Sequence, residues 1–302
     1  MEHMMADRDR PWHGVLVATA LPFRADLSID LDRYAEHVRW LAENGCDGIC
    51  PNGSLGEYQA LTDDERAAVV RTAVDAAPAG FTVMPGVGAY GARAARAWAD
   101  QAAEAGAHVL MALPPNGYRG DDRSVIEHYR EIAKAGLPVS AYNNPVDTKI
   151  DLRPALLAEL YQEGLIVGVK DFTGDARRSY ELAELVPDLD VLIGTDDSVV
   201  EVGLAGAKGW VSGFPNAFPR ACVELYDATM TRDLDAALPL YRELHALLRW
   251  DSRTEFVQAV KLSMDVVGRY GGSCRPPRQP LLPEQEMAVR RLTEKLLAAG
   301  RS

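Results

Sequence analysis

Short apolar runs alternate with amphipathic segments along almost the whole chain, and this alternation is typical of repeated strand and helix units. Most runs are continuous stretches of Val, Ile, Leu and Ala, as expected for parallel strands that are covered on both faces. Eight strands are predicted, at residues 14–23, 48–53, 81–88, 108–114, 137–144, 165–171, 190–195 and 207–214. Eight such strands, each followed by a helix, suit a closed barrel at least as well as an open sheet.

The segments between the strands carry helix boundary signals. Thr62, followed three residues later by Glu65, forms a predicted capping box ahead of the stretch AAVVRTAV. The paired units occupy residues 12–230 and leave residues 1–11 as a flexible N-terminus. Three further helical patterns follow, at residues 234–248, 253–267 and 284–297. We therefore predict an α/β fold, a (β/α)8 TIM barrel with a C-terminal helical extension, residues 231–302, packed on the barrel.

The composition limits which binding partners and which cellular location we expect for this protein. The chain of 302 residues is 47% hydrophobic, enough for one large core, and its formal net charge is −12. The basic residues are scattered, so they offer no positive stripe to nucleic acid or to anionic lipid. The first ten residues lack the apolar core of a signal peptide, and no later run approaches the length of a membrane span. We expect a cytoplasmic protein that binds neither nucleic acid nor membrane.

The cysteines and histidines do not predict a metal site. The histidines lack HxH and HExxH spacing, and the cysteines include no CxxC pair. We expect four buried, reduced thiols, at Cys46, Cys50, Cys222 and Cys274.

One motif suggests a different enzyme class. Residues 86–91, GVGAYG, match GxGxxG between a predicted strand and a helix beginning near Ala92, as in a dinucleotide-binding unit. Such a unit should present an acidic residue at the end of the following strand, but that strand, HVLMALPP, ends in Pro114 and Pro115. The motif also falls at the third strand rather than the first. We favour glycines that permit a tight loop at a barrel mouth.

In a (β/α)8 barrel the chemistry lies where strands end and helices begin. Lys170 lies at the end of the apolar run LIVGVK. Burial of an ammonium group carries a large desolvation cost, and a lowered pKa reduces that cost because the amine becomes neutral. A neutral amine can attack a ketone to form an imine, which then serves as an electron sink. The alternative is a lysine that extends past the strand end to pair with Asp171. Position alone does not separate these two interpretations.

Two other strand ends give weaker signals. The turn Gly53-Ser54-Leu55-Gly56 after the second strand offers backbone N–H groups that can hold a carboxylate, although glycine-rich loops are common at such positions. Tyr142 ends the fifth strand, where a tyrosine is more often a packing residue than an acid–base group. The combination of the three strand ends is what favours catalysis.

These segments together resemble the dihydrodipicolinate synthase and N-acetylneuraminate lyase family over roughly residues 12–300. The resemblance rests on GVLVATALPF, GSLGEYQALTDDER, AYNNP, GVKDFTGD and IGTDD, in this order along the chain. It implies a class I, Schiff-base-forming lyase that acts on a small 2-oxo acid and needs no cofactor or metal. It also implies a homotetramer.

The resemblance assigns roles to individual residues. Lys170 matches the Schiff-base lysine, Tyr142 matches the proton-passing tyrosine, and Ser54 matches the hydroxyl in hydrogen-bonded relay with that tyrosine. Leu55 replaces the family's second hydroxyl, so it is expected to hold the substrate carboxylate through its backbone N–H only. The predicted substrate-binding residues are Gly53 and Leu55 in the turn after the second strand, Asn144, Asp147 and Thr148, whose donors and acceptors suit substrate hydroxyl groups, and Thr19, in the opening segment that resembles the family's.

Two segments of this chain differ from the lysine-biosynthetic synthases of the family in ways that bear on the substrate. Asp147 stands where the lysine-biosynthetic synthases keep an arginine for the second substrate's carboxylate. The loop after strand four, which in those enzymes lends a tyrosine to a neighbouring subunit, reads PPNGY, so Tyr118 fits only with a shifted register. We therefore favour a lyase that acts on pyruvate or on a hydroxylated 2-oxo or cyclic imino acid by aldol cleavage, dehydration or deamination. The alternatives are 4-hydroxy-tetrahydrodipicolinate synthase, an NAD-dependent oxidoreductase and a non-catalytic ligand-binding barrel.

Overall fold

Eight parallel strands form the centre of the molecule in a computed structural model that describes residues 10–117 and 119–302. They are β1 (Gly14–Ala18), β2 (Gly48–Cys50), β3 (Thr82–Val83), β4 (Leu110–Ala112), β5 (Val139–Asn143), β6 (Gly168–Asp171), β7 (Asp190–Ile193) and β8 (Gly209–Ser212). Their order in the sheet is β3-β2-β1-β8-β7-β6-β5-β4. Met111 N donates to Pro85 O, and Val87 N donates to Met111 O, both at 3.0 Å. These bonds join the end of β3 to β4 and close the barrel.

Helices surround the strands and continue beyond them. They are α1 (Leu31–Glu43), α2 (Asp63–Ala76), α3 (Ala92–Glu104), α4 (Asp122–Ala133), α5 (Pro145–Thr148), α6 (Pro154–Gln162), α7 (Ala176–Leu185), α8 (Val199–Leu204), α9 (Pro219–Met230), α10 (Leu234–Leu248), α11 (Phe256–Val266) and α12 (Pro283–Ala298). The capping box at Thr62 and Glu65 is present, with Thr62 N donating to Glu65 Oε2 at 2.9 Å. The predicted barrel with a C-terminal helical extension is confirmed.

The strands are shorter than the apolar runs that predicted them. The first run was predicted to extend to residue 23, for example, whereas β1 ends at Ala18. Residues beyond the strand ends, such as Leu21 and Phe23, remain buried because they lie in the loops that cover the barrel mouth. An apolar residue at these positions therefore indicates burial and does not indicate how far the hydrogen-bonded strand extends.

The GxGxxG motif has a packing explanation. A Cβ atom at Gly86 would lie 2.4 Å from the carbonyl oxygen of Asn52, so only glycine permits this approach between the ends of β2 and β3. The guanidinium of Arg66 donates to the carbonyl oxygens of Gly86 and Gly88, at 3.4 and 3.3 Å. Gly86 thus permits the close packing of the loop after β3, as the preferred interpretation expected, whereas a Cβ atom at Gly91 would meet nothing within 4 Å.

The remaining structural expectations are met in part. Residues 1–9 of the predicted flexible N-terminus lie outside the described residues, while Arg10 pairs with Asp190 at 3.0 Å and Pro11 O accepts from Thr82 Oγ1 at 2.7 Å. The four cysteines are free, but Cys274 is half-buried rather than buried because it lies in the surface segment before α12. Across the described ranges, no helix is long and apolar enough to cross a membrane.

Candidate active site

A cavity of about 470 Å³ opens at the carboxyl ends of the strands. Its lining includes Gly53, Ser54 and Leu55 after β2, Tyr142 on β5 and Lys170 on β6. The C-terminal extension supplies a further wall, residues 251–254, Phe256 and Arg278. A larger surface cleft, about 580 Å³, adjoins it along residues 275–280, but neither Lys170 nor Tyr142 lines that cleft.

Lys170 is buried in β6, with 6% of its surface exposed. Burial lowers the pKa of its amine, and the nearby Asp251, Cys50 and Asp196 partly oppose that shift. The pairing with Asp171 considered from the sequence is absent. Successive side chains of a strand point to opposite faces, and Asp171 accepts instead from Asn143 Nδ2 at 2.8 Å. Lys170 therefore presents a desolvated amine to the cavity.

Tyr142 lies beside Lys170. The two residues are directly paired between β5 and β6, and the Lys170 Nζ lies 4.3 Å from the centroid of the Tyr142 ring. The phenol oxygen accepts from Asn144 Nδ2 at 3.3 Å, and the ring packs edge-on against Phe172 at 6.4 Å between centroids. Burial raises the pKa of Tyr142, so the phenol is protonated at neutral pH. It can donate a proton to a group formed on the lysine.

The turn after β2 has free donors. Within the described ranges, the backbone N–H groups of Ser54 and Leu55 donate no hydrogen bond to the protein, while Ser54 O accepts from Glu57 N at 3.1 Å. The predicted relay between Ser54 and Tyr142 is not formed, since no hydrogen bond joins their side chains among the described residues. The two residues nevertheless line the same cavity. The turn can hold an anion through its backbone.

A buried ion pair holds this turn in place. Glu57, in a left-handed conformation with φ of 53°, pairs with Lys261 of α11 at 2.7 Å, and each side chain is 1% exposed. Lys261 Nζ also donates to Ser273 O, and Arg275 N donates to the second Glu57 oxygen at 2.9 Å. The C-terminal extension is thereby tied to the turn that borders the cavity.

The segment after β5 is stabilised by its own polar groups. Asn144 Nδ2 donates to Asp147 Oδ2 at 2.9 Å, and Asp147 N donates to Asn144 Oδ1 at 3.2 Å, capping α5. Thr148 lines the cavity, but its hydroxyl donates to Asn144 O at 2.8 Å. Asp147 is exposed at the cavity mouth. This segment therefore presents a carboxylate, and not a cation, to a substrate.

Thr19 does not belong to this group. It is 1% exposed and is absent from the cavity lining; its hydroxyl is 2.9 Å from the hydroxyl of Tyr34 on α1. Tyr118 lies outside the described residues. In the same loop, Asn116 lines the cavity and donates to the Tyr58 hydroxyl at 3.3 Å.

Two buried acids near Lys170 were not predicted as site residues. Asp196 accepts from Trp210 Nε1 at 3.1 Å and from the Gly213 and Phe214 N–H groups at 3.2 Å. Burial raises the pKa of Asp196 to about 6 and raises that of Asp251, which lines the cavity. Asp196 falls within the IGTDD segment, whereas Asp251 follows α10 and has no local sequence signal. In the part of the chain that the structure describes, no cluster of three or more potential metal ligands is found.

Comparisons with known proteins agree with this geometry. The model of the dihydrodipicolinate synthetase family matches residues 11–296. A 4-hydroxy-tetrahydrodipicolinate synthase of Acidothermus cellulolyticus is 34% identical over 295 residues, covering 97% of this chain and 94% of the relative. An uncharacterized DapA-like lyase of Rhizobium meliloti is 32% identical over 289 residues, covering 94% and 95%.

A solved structure extends the comparison to three dimensions. The chloride-inhibited dihydrodipicolinate synthase of Acinetobacter baumannii, complexed with pyruvate, superimposes with a TM-score of 0.90 at 27% identity, covering 94% of this chain and 98% of that one. Similarity of this extent in both sequence and fold identifies the family. The chain belongs to the dihydrodipicolinate synthetase family and is a lyase of the Schiff-base-forming type.

Proposed function

We propose that Lys170 is the residue that forms the imine and that it acts on a 2-oxo acid bound in the cavity at the strand ends. The observation that carries the proposal is the buried Lys170 amine paired in register with Tyr142. The neutral amine adds to the ketone carbon, and the resulting carbinolamine loses water to give the imine. The protonated imine then accepts the electron pair released when a bond one carbon away is broken.

Two neighbouring groups support this chemistry. The Tyr142 phenol, protonated at neutral pH, can donate a proton to the departing hydroxyl of the carbinolamine and recover it later. The free N–H groups of Ser54 and Leu55 are suited to the carboxylate of the 2-oxo acid. Leu55 acts only through its backbone here, because its side chain is apolar.

Exchange of the methyl hydrogens of pyruvate with D2O tests the proposal. An imine that interconverts with its enamine incorporates deuterium, and the loss of the pyruvate methyl signal is followed by NMR. We expect Lys170→Met to abolish exchange in folded protein, and exhaustive chelation to leave it unchanged. Exchange that persisted in Lys170→Met, or that required a divalent metal, would rule out the covalent route through Lys170.

The substrate proposal rests on Asp147. An aspartate at the cavity mouth repels a carboxylate that an arginine would bind, so a hydroxylated 2-oxo or cyclic imino acid should be preferred. The names of relatives such as the Acidothermus protein favour the alternative, 4-hydroxy-tetrahydrodipicolinate synthase. A substrate panel separates them: we expect kcat/KM for pyruvate with aspartate semialdehyde to be about a hundredfold lower than for the best hydroxylated acid. If the semialdehyde is best, the alternative is correct.

The assembly and location are also proposals. A homotetramer accords with family membership, and a cytoplasmic location accords with the absence of a membrane-spanning helix in the described ranges. Sedimentation equilibrium would test the first, since a monomer at micromolar concentration would contradict it. Cell fractionation would test the second.

A further inference from the structure

Two arginines of the C-terminal extension line the active-site cavity. Arg253 lies in the turn between α10 and α11, and Arg278 lies in the segment between α11 and α12. Apart from Lys170, they are the only cationic side chains among the described residues of the lining. From their position we infer that they bind a second, distal carboxylate of the substrate.

Within the described ranges, aromatic rings, and not acidic side chains, orient both guanidinium groups. The Arg253 Cζ lies 4.3 Å from the centroid of the Trp250 ring, and Trp250 is 3% exposed. The Arg278 Cζ lies 5.3 Å from the Phe256 ring, which also lines the cavity. Stacking on an aromatic face orients a guanidinium while leaving its N–H groups available. A rigid, donor-rich group is well suited to bidentate binding of a carboxylate.

Neither guanidinium has an acidic partner among the described residues. The neighbouring Arg275, by contrast, donates to both oxygens of Glu65. The two cations at the cavity therefore keep their hydrogen-bonding capacity for a ligand.

The position of these charges complements that of Asp147. The segment after β5 presents a carboxylate, so a negative terminus is repelled there and attracted to the wall formed by the extension. A cavity of about 470 Å³ also has room for a ligand larger than pyruvate. The substrate class that fits is a hydroxylated 2-oxo acid whose hydroxyl groups face the segment after β5 and whose far end carries a second carboxylate. This inference rests on the proposed imine at Lys170, which fixes the near end.

Binding of a matched series tests the inference. Apparent dissociation constants for imine formation are measured by borohydride trapping and intact mass with 2-oxoadipate, 6-hydroxy-2-oxohexanoate and its 6-phosphate. In the wild-type protein we expect 2-oxoadipate to bind about tenfold or more tightly than the alcohol, as for a charge-assisted contact. Arg253→Gln and Arg278→Gln should each reduce that ratio, and the double variant should bring it close to one. Each ratio is internal to one variant, so folding and active fraction cancel.

Arg249→Gln is the matched control. Arg249 is exposed, lies four residues before Arg253 and does not line the cavity, so the ratio should stay at its wild-type value. A ratio near one in the wild type, or a ratio unchanged in the double variant, would overturn the inference. Tighter binding of the phosphate than of 2-oxoadipate would overturn the carboxylate assignment. Pyruvate has no distal group, so a failure to trap pyruvate marks failure of the proposed imine chemistry itself.

Discussion

Loss of the buried ion pair between Glu57 and Lys261 should destabilise the whole protein. Lys261→Met preserves the length and most of the volume of the side chain but leaves the Glu57 carboxylate buried without its cation. Removing one partner of a buried pair costs about 3–5 kcal/mol, because the remaining charge stays desolvated. The lysine also loses its bond to Ser273 O, whereas Glu57 keeps the bond from Arg275 N.

The expected change in melting temperature follows from chain length. An unfolding entropy of about 2.1 cal/mol/K per residue gives about 0.63 kcal/mol/K for 302 residues. A loss of about 3–5 kcal/mol then lowers Tm by about 5–8 °C. Differential scanning calorimetry and urea unfolding followed by circular dichroism measure the change. Because the pair holds the turn at residues 53–57, pyruvate binding should weaken in the same variant.

Two comparisons isolate the ion pair. The double variant Glu57→Gln, Lys261→Met removes both charges, so we expect it to be more stable than Lys261→Met alone. Arg290→Met breaks an exposed pair with Glu286, 3.0 Å long, and should change stability by less than about 0.5 kcal/mol. If Lys261→Met were as mild as Arg290→Met, or if the double variant were no more stable than Lys261→Met, the reasoning about the buried pair would be wrong.

Three further predictions concern the chemistry. Tyr142→Phe should keep the fold and slow turnover about a hundredfold or more, the scale for a lost acid–base group; near-normal turnover would show that the tyrosine only packs. Asp251→Asn should move the pH midpoint of imine formation with pyruvate to lower pH, because the Asp251 charge opposes deprotonation of Lys170. Asp147 lines the same cavity, and Asp147→Asn should not move that midpoint. An upward shift in Asp251→Asn would refute the role of the Asp251 charge in raising the pKa of Lys170. Activity should survive exhaustive chelation, and its restoration by a divalent metal alone would indicate another mechanism.

Local patterns were sufficient to predict the barrel and to place Lys170 and Tyr142 at the ends of its strands. Continuous apolar runs marked buried parallel strands, and Thr62 with Glu65 marked the start of a helix. Lys170 and Tyr142 could be predicted because each interrupts or ends such a run, and the strand order then places them side by side. Apolar runs could not show where each strand ends, since the loops at the mouth are buried as well.

The other wall of the cavity depends on long-range packing. Asp251, Arg253 and Arg278 come from the C-terminal extension, more than 80 residues after Lys170, and nothing in their immediate sequence points to the barrel mouth. Lys261 lies in an ordinary apolar helix pattern, so its pairing with Glu57 had no local signal. The Thr19 assignment had no support of its own beyond the resemblance, and the structure directs that hydroxyl to Tyr34.

Covalent trapping tests the central claim most directly. The protein is incubated with pyruvate and sodium borohydride, digested, and mapped by tandem mass spectrometry, with Lys261→Met and Lys170→Met as parallel samples. Because only Lys170 presents a desolvated amine to the cavity among the described lysines, the account predicts one reduced pyruvyl adduct per chain, on the peptide that contains Lys170. That adduct should persist in Lys261→Met and disappear in Lys170→Met. An adduct on another lysine, or no adduct in folded protein with any 2-oxo acid of a broad panel, would contradict it.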